Sequence, residues 1–310
     1  VFKYAPPTGF LAVCSGNLPI SDDIDPAQTD DDIPQKNFNT VIWTGDGQDN
    51  RSVSGVGFKP DLLWGKVRST TNGSFLFDSN RGSNRLRSNT TNGDIDFSSY
   101  WSQFDSDGWT YGSNSASQNA NGETFVGWCW KANGGTTPSN SDGDITSTVQ
   151  ANTKAGFSIC TYTANGSANQ TWGHGLSAKP DFIIVKKRSA TSSWTVYHSS
   201  LGATKFMYLN SSNNVNTGSE MWNDTEPTSS LVTVNNNGNT NDPNGATFVS
   251  YVWHNVEGMQ KFGSYEGNGN ADGPFIYTGF RPKMIFLKSV DSASGDWIVV
   301  DTTRSTFNVT

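Results

Sequence analysis

The residues best equipped for catalysis are three histidines, and similar segments of the chain carry other residue types at the matching positions. The matches are His198 with Asp78 and Asp301, His174 with Ser54, and His254 with Lys131. Nucleophilic catalysis needs a base such as histidine beside a serine or cysteine, often with a carboxylate behind it. No such set recurs in the chain, so we expect no catalytic residues and predict that the protein is not an enzyme.

Paired carboxylates are the second chemistry to consider, because a polysaccharide depolymerase needs two of them about 5–10 Å apart. Asp78 and Asp301 share one position of the similar segments, and Asp61 and Asp181 share another. In each case the remaining segment carries a histidine or a lysine instead. We therefore expect these carboxylates to accept backbone N–H groups at turns and strand ends, and a depolymerase remains an alternative.

Three lysines, Lys66, Lys186 and Lys288, coincide at the end of an apolar stretch in each of the similar segments. A lysine at such a place can lay its carbon chain on the edge of a core and keep its ammonium group in water. It could instead contact a ligand. We favour the packing interpretation.

The aromatic residues Tyr100, Trp101 and Trp222 lie in the most irregular part of the pattern, and the two tryptophans coincide. Aromatic side chains in loops can stack on sugar rings or anchor an interface. Their recurrence favours packing, yet they are the best candidates in the sequence for binding a receptor or glycan.

The cysteines Cys14, Cys129 and Cys160 form no CxxC pair, so neither a zinc site nor a disulfide framework is indicated. Cys129 matches Val252 and Cys160 matches Val41, which predicts buried apolar side chains. An acidic run at 21–34 could offer oxygen ligands to calcium, but its spacing does not fit an EF-hand loop. We expect no metal and no cofactor.

One sequence pattern occurs three times along the chain, and the elements that it predicts must position these residues. It starts with a turn at 43–47, 162–166 and 265–269, and it continues through a Lys/Arg-Pro step into an apolar strand at 57–64, 177–184 and 279–286. The first two copies close with similar segments at 121–130 and 244–253. The third copy lacks that segment, and the chain opens without Met, so we expect a fragment of a longer polypeptide.

The composition indicates short strands joined by many turns. Charged residues are only 16% of the chain and Gly numbers 32, yet 11 Trp and 18 Phe can anchor several small cores. Asn-Gly ahead of alternating apolar residues is typical of hairpins. The predicted fold is all-β, with tandem antiparallel β-sandwich modules of concanavalin or jelly-roll type.

The predicted organisation follows the repeat. Residues 1–37 would be the end of a preceding domain with an acidic linker, 38–132 the first copy, 133–155 a Gly/Ser/Thr-rich connector, 156–258 the second copy, and 259–310 a truncated third copy. The net charge of -7 disfavours nucleic acid as a partner. No apolar run is long enough to predict insertion into a membrane.

Several segments resemble an uncharacterised repeat family of marine bacteriophage structural and tail-fibre proteins. They are 59–62, 77–82, 142–153 and 263–269, while 4–10 and 17–19 are similar to the end of the SPRY-like, concanavalin-type sandwich that these repeats often follow. The resemblance implies a virion location, in a tail fibre or spike that contributes to host attachment. Its expected partners are other virion proteins, further copies of the chain (a trimer by analogy), and a host surface glycan or protein. A lectin-like module and a capsid decoration protein remain alternatives.

Overall fold

The computed structural model describes residues 33–113, 117–292 and 294–305. Within these ranges the chain contains no α-helix, and its one helical element is a 3-10 turn at Pro34–Lys36. Every ladder between two strands of the described residues is antiparallel. The predicted all-β, antiparallel fold class is confirmed. The expected SPRY-like end and nearly all of the acidic linker lie outside the described residues.

The first copy is built around a four-stranded sheet with the order β1-β9-β3-β4. A three-stranded sheet, β2-β8-β7, and a short ladder, β5-β6, accompany it. The strands are β1 (Phe38–Thr44), β2 (Ser52–Ser54), β3 (Leu62–Val67), β4 (Ser74–Asp78), β5 (Asn84–Arg85), β6 (Ile95–Asp96), β7 (Trp101–Asp105), β8 (Gly108–Tyr111) and β9 (Thr124–Trp130).

The rest of the chain forms an eight-stranded sheet, β10-β11-β12-β19-β14-β15-β16-β17, and two small sheets, β13-β18 and β20-β21. The strands are β10 (Ser139–Asn140), β11 (Ser147–Asn152), β12 (Phe157–Thr163), β13 (Gln170–Gly173), β14 (Phe182–Lys187), β15 (Thr195–His198), β16 (Lys205–Tyr208), β17 (Asn216–Thr217), β18 (Leu231–Val234), β19 (Thr247–Trp253), β20 (Met284–Leu287) and β21 (Ile298–Asp301).

The two large sheets share one connectivity. β9 lies between β1 and β3, and β19 lies between β12 and β14 in the same register. Trp43 faces Phe125 in the first sheet, and Tyr162 faces Phe248 in the second. Both aromatic pairs are stacked, at 5.2 Å between ring centroids. We call β9 and β19 the closing strands.

Alternating side chains of these sheets enter two different cores. One face of each large sheet packs against the small sheet of its own copy, around Trp109 in the first copy and Trp172 in the second. The opposite faces meet in a shared core that contains Leu62, Trp64 and Trp128 of the first copy together with Phe182, Ile184 and Tyr251 of the second. The copies are thus packed face to face.

The third copy adds the hairpin β20-β21 to the shared core. Its Met284, Phe286, Trp297 and Val299 are partly buried there. Phe286 lies edge-on to Trp64, with ring centroids 5.7 Å apart. Three hairpins, β3-β4, β14-β15 and β20-β21, therefore surround one core.

The stretch at 133–155, predicted as a connector, contains β10 and β11. β11 pairs along its whole length with β12, and Val149 enters the core of the second copy. The alternation in Ser-Thr-Val-Gln-Ala is a strand signal that the surrounding Gly, Ser and Asn obscure. The other proposed module boundaries stay predictions.

Candidate functional site

The three aromatic residues that the sequence predicts as binding residues lie in different environments. Trp101 is buried and stacks on Phe77 at 4.1 Å. Trp222 is buried beside Tyr197, at 5.9 Å between ring centroids. Tyr100 is 39% exposed. Of the three, only Tyr100 presents a side chain to solvent.

The carboxylates that match across copies tie each hairpin to the end of its closing strand. Asp61 accepts the Ala132 N–H at 2.7 Å and the Ser79 hydroxyl at 2.8 Å. Asp181 likewise accepts the Asn255 N–H at 2.7 Å, and the Ser199 hydroxyl at 2.8 Å. This is the backbone-binding role expected from the sequence.

A buried ionic contact joins the first copy to the second. Arg81 Nε donates to Asp78 Oδ2 at 2.6 Å, and the hydroxyl of Tyr251, in the closing strand of the second copy, donates to the same oxygen at 2.7 Å. Arg81 also binds Asp94 at 2.8 Å. Both members of the Asp78–Arg81 pair are fully buried. A buried pair of this kind is costly to break, because one charge would be left without a partner.

The environment sets the charge states in this contact. Burial alone would lower the pKa of Arg81, but the carboxylate of Asp78 raises it above its usual value. Burial raises the pKa of Tyr251 well above its usual value. The guanidinium therefore stays charged and the phenol stays protonated as a donor.

The third copy makes the same contact with the first. Arg304 Nε binds Asp301 Oδ2 at 2.5 Å, and the indole N–H of Trp128 donates to that oxygen at 3.1 Å. Trp128 occupies in β9 the register position that Tyr251 occupies in β19. The contact thus runs from the first copy to the second and from the third copy to the first.

The matching lysines form a second set of contacts between copies. Lys186 Nζ donates to Ser192 O in its own copy at 2.9 Å and to Thr91 O in the first copy at 3.0 Å. Lys288 Nζ binds Gly295 O in its own copy, and it binds Ser212 O in the second copy at 3.0 Å. Burial lowers the pKa of Lys186 to about 8. These lysines are links between copies, and their ligands are backbone carbonyls.

Two matching tryptophans also bind backbone carbonyls of a neighbouring copy. Trp194 donates its indole N–H to Arg87 O of the first copy at 3.1 Å, and Trp297 donates to Tyr208 O of the second copy at 3.0 Å. The residues that accept these bonds, 87–91 and 208–212, are matching loops. We use the word lock for a lysine and a tryptophan of one copy together with the loop of the neighbouring copy whose carbonyls they bind.

Lys66, the third matching lysine, has only half of this lock. Its Nζ binds Asn72 O within its own copy, and burial lowers its pKa. Among the described residues it makes no hydrogen bond to a neighbouring copy. The part of the first copy that would match the locks of the other two therefore faces an open region beside the third copy.

A cavity of about 600 Å³ lies in that region. Trp64, Trp128, Phe286 and Trp297 contribute aromatic walls, and Lys66, Asn72, Asn89, Asp296 and Arg304 contribute polar groups. The aromatic faces are already engaged with each other, since Phe286 stacks on Trp297 at 4.7 Å. The available chemistry is a charged amine and side-chain amides next to an apolar floor, which suits polypeptide backbone. This cavity, with the edge of β20 that has no strand partner among the described residues, is the candidate site.

Two cysteines and one histidine elsewhere in the described residues are enclosed. Burial raises the pKa of Cys160 to about 12 and lowers that of His174 to about 4. Cys129 is buried as well, and its pKa is also raised. Within the described ranges, no group of three or more His, Cys, Asp and Glu side chains could hold a metal ion. No helix in the same residues is long and apolar enough to cross a membrane.

The fold and the site define a class: an all-β repeat protein whose copies surround one core and lock onto each other. The chain belongs to the family described as Domain of unknown function (DUF7483), whose model matches residues 33–310. No curated protein and no solved structure gives a significant match.

Proposed function

We propose that the protein is a structural, non-enzymatic component of a bacteriophage virion, in a tail fibre or spike that contributes to attachment to the host surface. The observation that carries the proposal is the lock between copies. Backbone-directed lysines, buried ion pairs and a shared aromatic core hold the copies in fixed relative positions. Fixed relative positions of the copies are what a rigid appendage requires.

The sequence features that resemble phage structural repeats support the same proposal. Its partners would be other virion proteins and further copies of the chain, whose many weak contacts with a host glycan or protein would gain strength by avidity. Tyr100 is the exposed residue that the proposal assigns to receptor contact. A capsid decoration protein would share the architecture and differ in location.

Immunogold labelling of intact particles, with antibody raised against the recombinant chain, tests the location. Label on the tail or its fibres is the expected result, and label confined to the head would favour capsid decoration. Particles without label, and without peptides of this chain in mass spectrometry of the purified virion, would contradict the proposal.

An adsorption assay tests attachment. Excess recombinant chain should slow adsorption of the phage to its host at least severalfold, and Tyr100→Ala should weaken that competition. His254→Ala is a suitable control, since it changes an aromatic side chain in the second copy, whereas Tyr100 belongs to the first. Equal competition by all three proteins would remove Tyr100 from the contact.

A further inference from the structure

Two arginines of the first copy lie close together without a carboxylate partner. Arg85 and Arg87 flank Leu86, whose side chain enters the shared core, so both arginines lie on the opposite side of this extended stretch. The Nε atom of each arginine is buried and makes no hydrogen bond in the described part of the chain. Within the same ranges, no ion pair involves either of them.

The acidic residues that follow the two arginines in the sequence are engaged elsewhere. Asp94 binds Arg81 and Arg188, at 2.8 Å in each case. Asp96 accepts the Ser98 N–H at 2.9 Å. Neither carboxylate therefore neutralises the pair of arginines.

Arg85 is held rigidly in a largely enclosed place. It is 6% exposed, its Nη1 donates to Ser117 Oγ at 3.0 Å, and its guanidinium lies 3.9 Å from the centre of the Phe97 ring. Burial, together with the neighbouring charge of Arg87, lowers the pKa of Arg85 to about 10, so this guanidinium stays charged at neutral pH. Two like charges, one of them buried, are unfavourable together, and an anion bound between them would offset that cost.

Phe97 connects this pair of arginines with the exposed Tyr100. The ring centroids of Phe97 and Tyr100 are 4.7 Å apart, so one ring contacts both the guanidinium of Arg85 and the ring of Tyr100. An exposed aromatic ring can stack on the apolar face of a sugar. Guanidinium groups bind a carboxylate through paired hydrogen bonds. The two kinds of group together suit an acidic sugar.

The second copy shows that the fold does not require these charges. β16 pairs with β17 in the register in which β5 pairs with β6, and Phe206 and Tyr208 take the positions of the two arginines. Met221, just ahead of Trp222, takes the position of Tyr100 and is buried. Uncharged side chains therefore satisfy the same architecture, and the arginines with their exposed aromatic neighbour are particular to the first copy.

We propose that Arg85, Arg87 and Tyr100 form a binding site for an acidic sugar of the host surface glycan. The carboxylate of the sugar accepts hydrogen bonds from the two guanidinium groups, and the sugar ring lies against Tyr100. This inference rests on the proposed role in attachment and names the class of glycan that the first copy selects.

Titration calorimetry with the 310-residue chain tests the site. The probes are trigalacturonic acid and a trimer of sialic acid, and the matched control for each is its methyl ester, which keeps the sugar rings and removes the charges. At least one acidic trimer should bind saturably, at one trimer per chain. Its ester should bind about tenfold more weakly, as expected when charge-assisted hydrogen bonds are lost.

Variants assign the binding to the named residues. Arg87→Gln should weaken binding of the acidic trimer about tenfold, because it removes one of the two guanidinium groups. Its side chain makes no hydrogen bond among the described residues, so the variant should fold, and near-ultraviolet circular dichroism checks this. Tyr100→Ala should weaken binding of the trimer as well. Arg68→Gln, which removes an exposed arginine of the first copy, is the control and should bind like the wild type.

Equal binding of an acidic trimer and its ester, no binding of either acidic trimer, or unchanged binding by Arg87→Gln would overturn the site. Inorganic phosphate that binds as tightly as the trimers would overturn the assignment to a sugar. The free trimer that binds the chain should also slow adsorption of the phage. Binding in solution without any effect on adsorption would support the site and contradict its role in attachment, so a failure of the proposed function is distinguished from a failure of the site.

Discussion

The carboxylate of Asp78 takes part in the contact between the first two copies. A single oxygen receives both the guanidinium of Arg81 and the hydroxyl of Tyr251, and it is shielded from water. The sequence showed that Asp recurs at this position, but not that its second partner lies 173 residues away. Comparing matching positions reveals the residues that the copies have in common. It does not reveal the contacts between copies, because these depend on how the copies pack against each other.

Asp78→Asn should lower the free energy of unfolding by about 3 kcal/mol, because Arg81 keeps its charge and loses the buried carboxylate beside it. Tyr251→Phe removes only the hydroxyl and should cost about 1 kcal/mol. Urea unfolding followed by tryptophan fluorescence measures both. A cost for Asp78→Asn no larger than that for Tyr251→Phe would contradict the role given to the ion pair.

His174 makes stability depend on pH. It is fully buried, accepts the Leu176 N–H at Nδ1, and contacts Thr228 O through Nε2 at 3.3 Å. Burial lowers its pKa from the ordinary value of 6.5 to about 4. Between these values the unfolded chain binds a proton that the folded chain refuses, so stability falls as pH falls. The contribution is complete above pH 6.5 and is lost progressively toward pH 4, and it amounts to about 3 kcal/mol.

His174→Gln should flatten that part of the curve, since the amide does not titrate. The measurement is urea unfolding of both proteins from pH 8 to pH 4.5, where other titrating groups cancel in the difference between them. The stability of the wild type relative to the variant should decrease steadily below pH 6.5. Parallel curves would show that His174 is not protected from protonation.

At the scale of elements, the two large sheets are alike in connectivity but differ in the sizes of the side chains on paired strands. Gly65 of β3 faces Phe75 of β4, whereas the matching pair in the second copy is Val185 with Thr195. A Cβ added at Gly65 would lie 2.1 Å from the ring of Phe75. The small residue in one strand therefore accommodates the large one in its partner, and the relation is exchanged in the second copy.

Gly65→Val should cost about 3 kcal/mol or more through overpacking. Phe75→Thr should cost about 3–5 kcal/mol by leaving a cavity. The double variant reproduces the pair of the second copy, and its cost should be smaller than the sum of the single costs by at least 1 kcal/mol. Thermal unfolding of the four proteins measures the coupling. Additive costs would mean that the two sheets do not share a packing rule.

The strands that could be predicted from the sequence are those with clear apolar runs beside recognisable turns, such as β3, β9, β14 and β19. β11 was not predicted, because its alternation is surrounded by Gly, Ser and Asn. Trp101 and Trp222 were given a possible surface role because their neighbourhoods are irregular, but irregular loops can cover a core. The lysines of the locks were found by recurrence, while their partners are backbone carbonyls, which carry no sequence signal.

At the scale of the whole molecule, the shared core determines how the copies depend on each other. Trp64, Ile184 and Phe286 occupy matching strand positions of three hairpins and all enter one cluster or pack against it. A copy on its own would expose that apolar face to water, which is costly in proportion to its area. The copies are therefore better described as parts of one cooperative unit than as independently folded domains.

Trp194→Ala tests this cooperation. Trp194 belongs to the second copy, is fully buried, and donates to Arg87 O and Thr90 O of the first copy. Loss of its packing should cost about 3–5 kcal/mol. If the copies unfold together, native-state hydrogen exchange should show the same decrease at the slowest amides of β3 as at those of β14, although β3 lies in the other copy. Tyr100→Ala, at an exposed residue, is the control and should leave both sets unchanged. A decrease confined to β14 and β15 would show that the copies unfold independently, and the locks would then serve to orient the copies without coupling their stability.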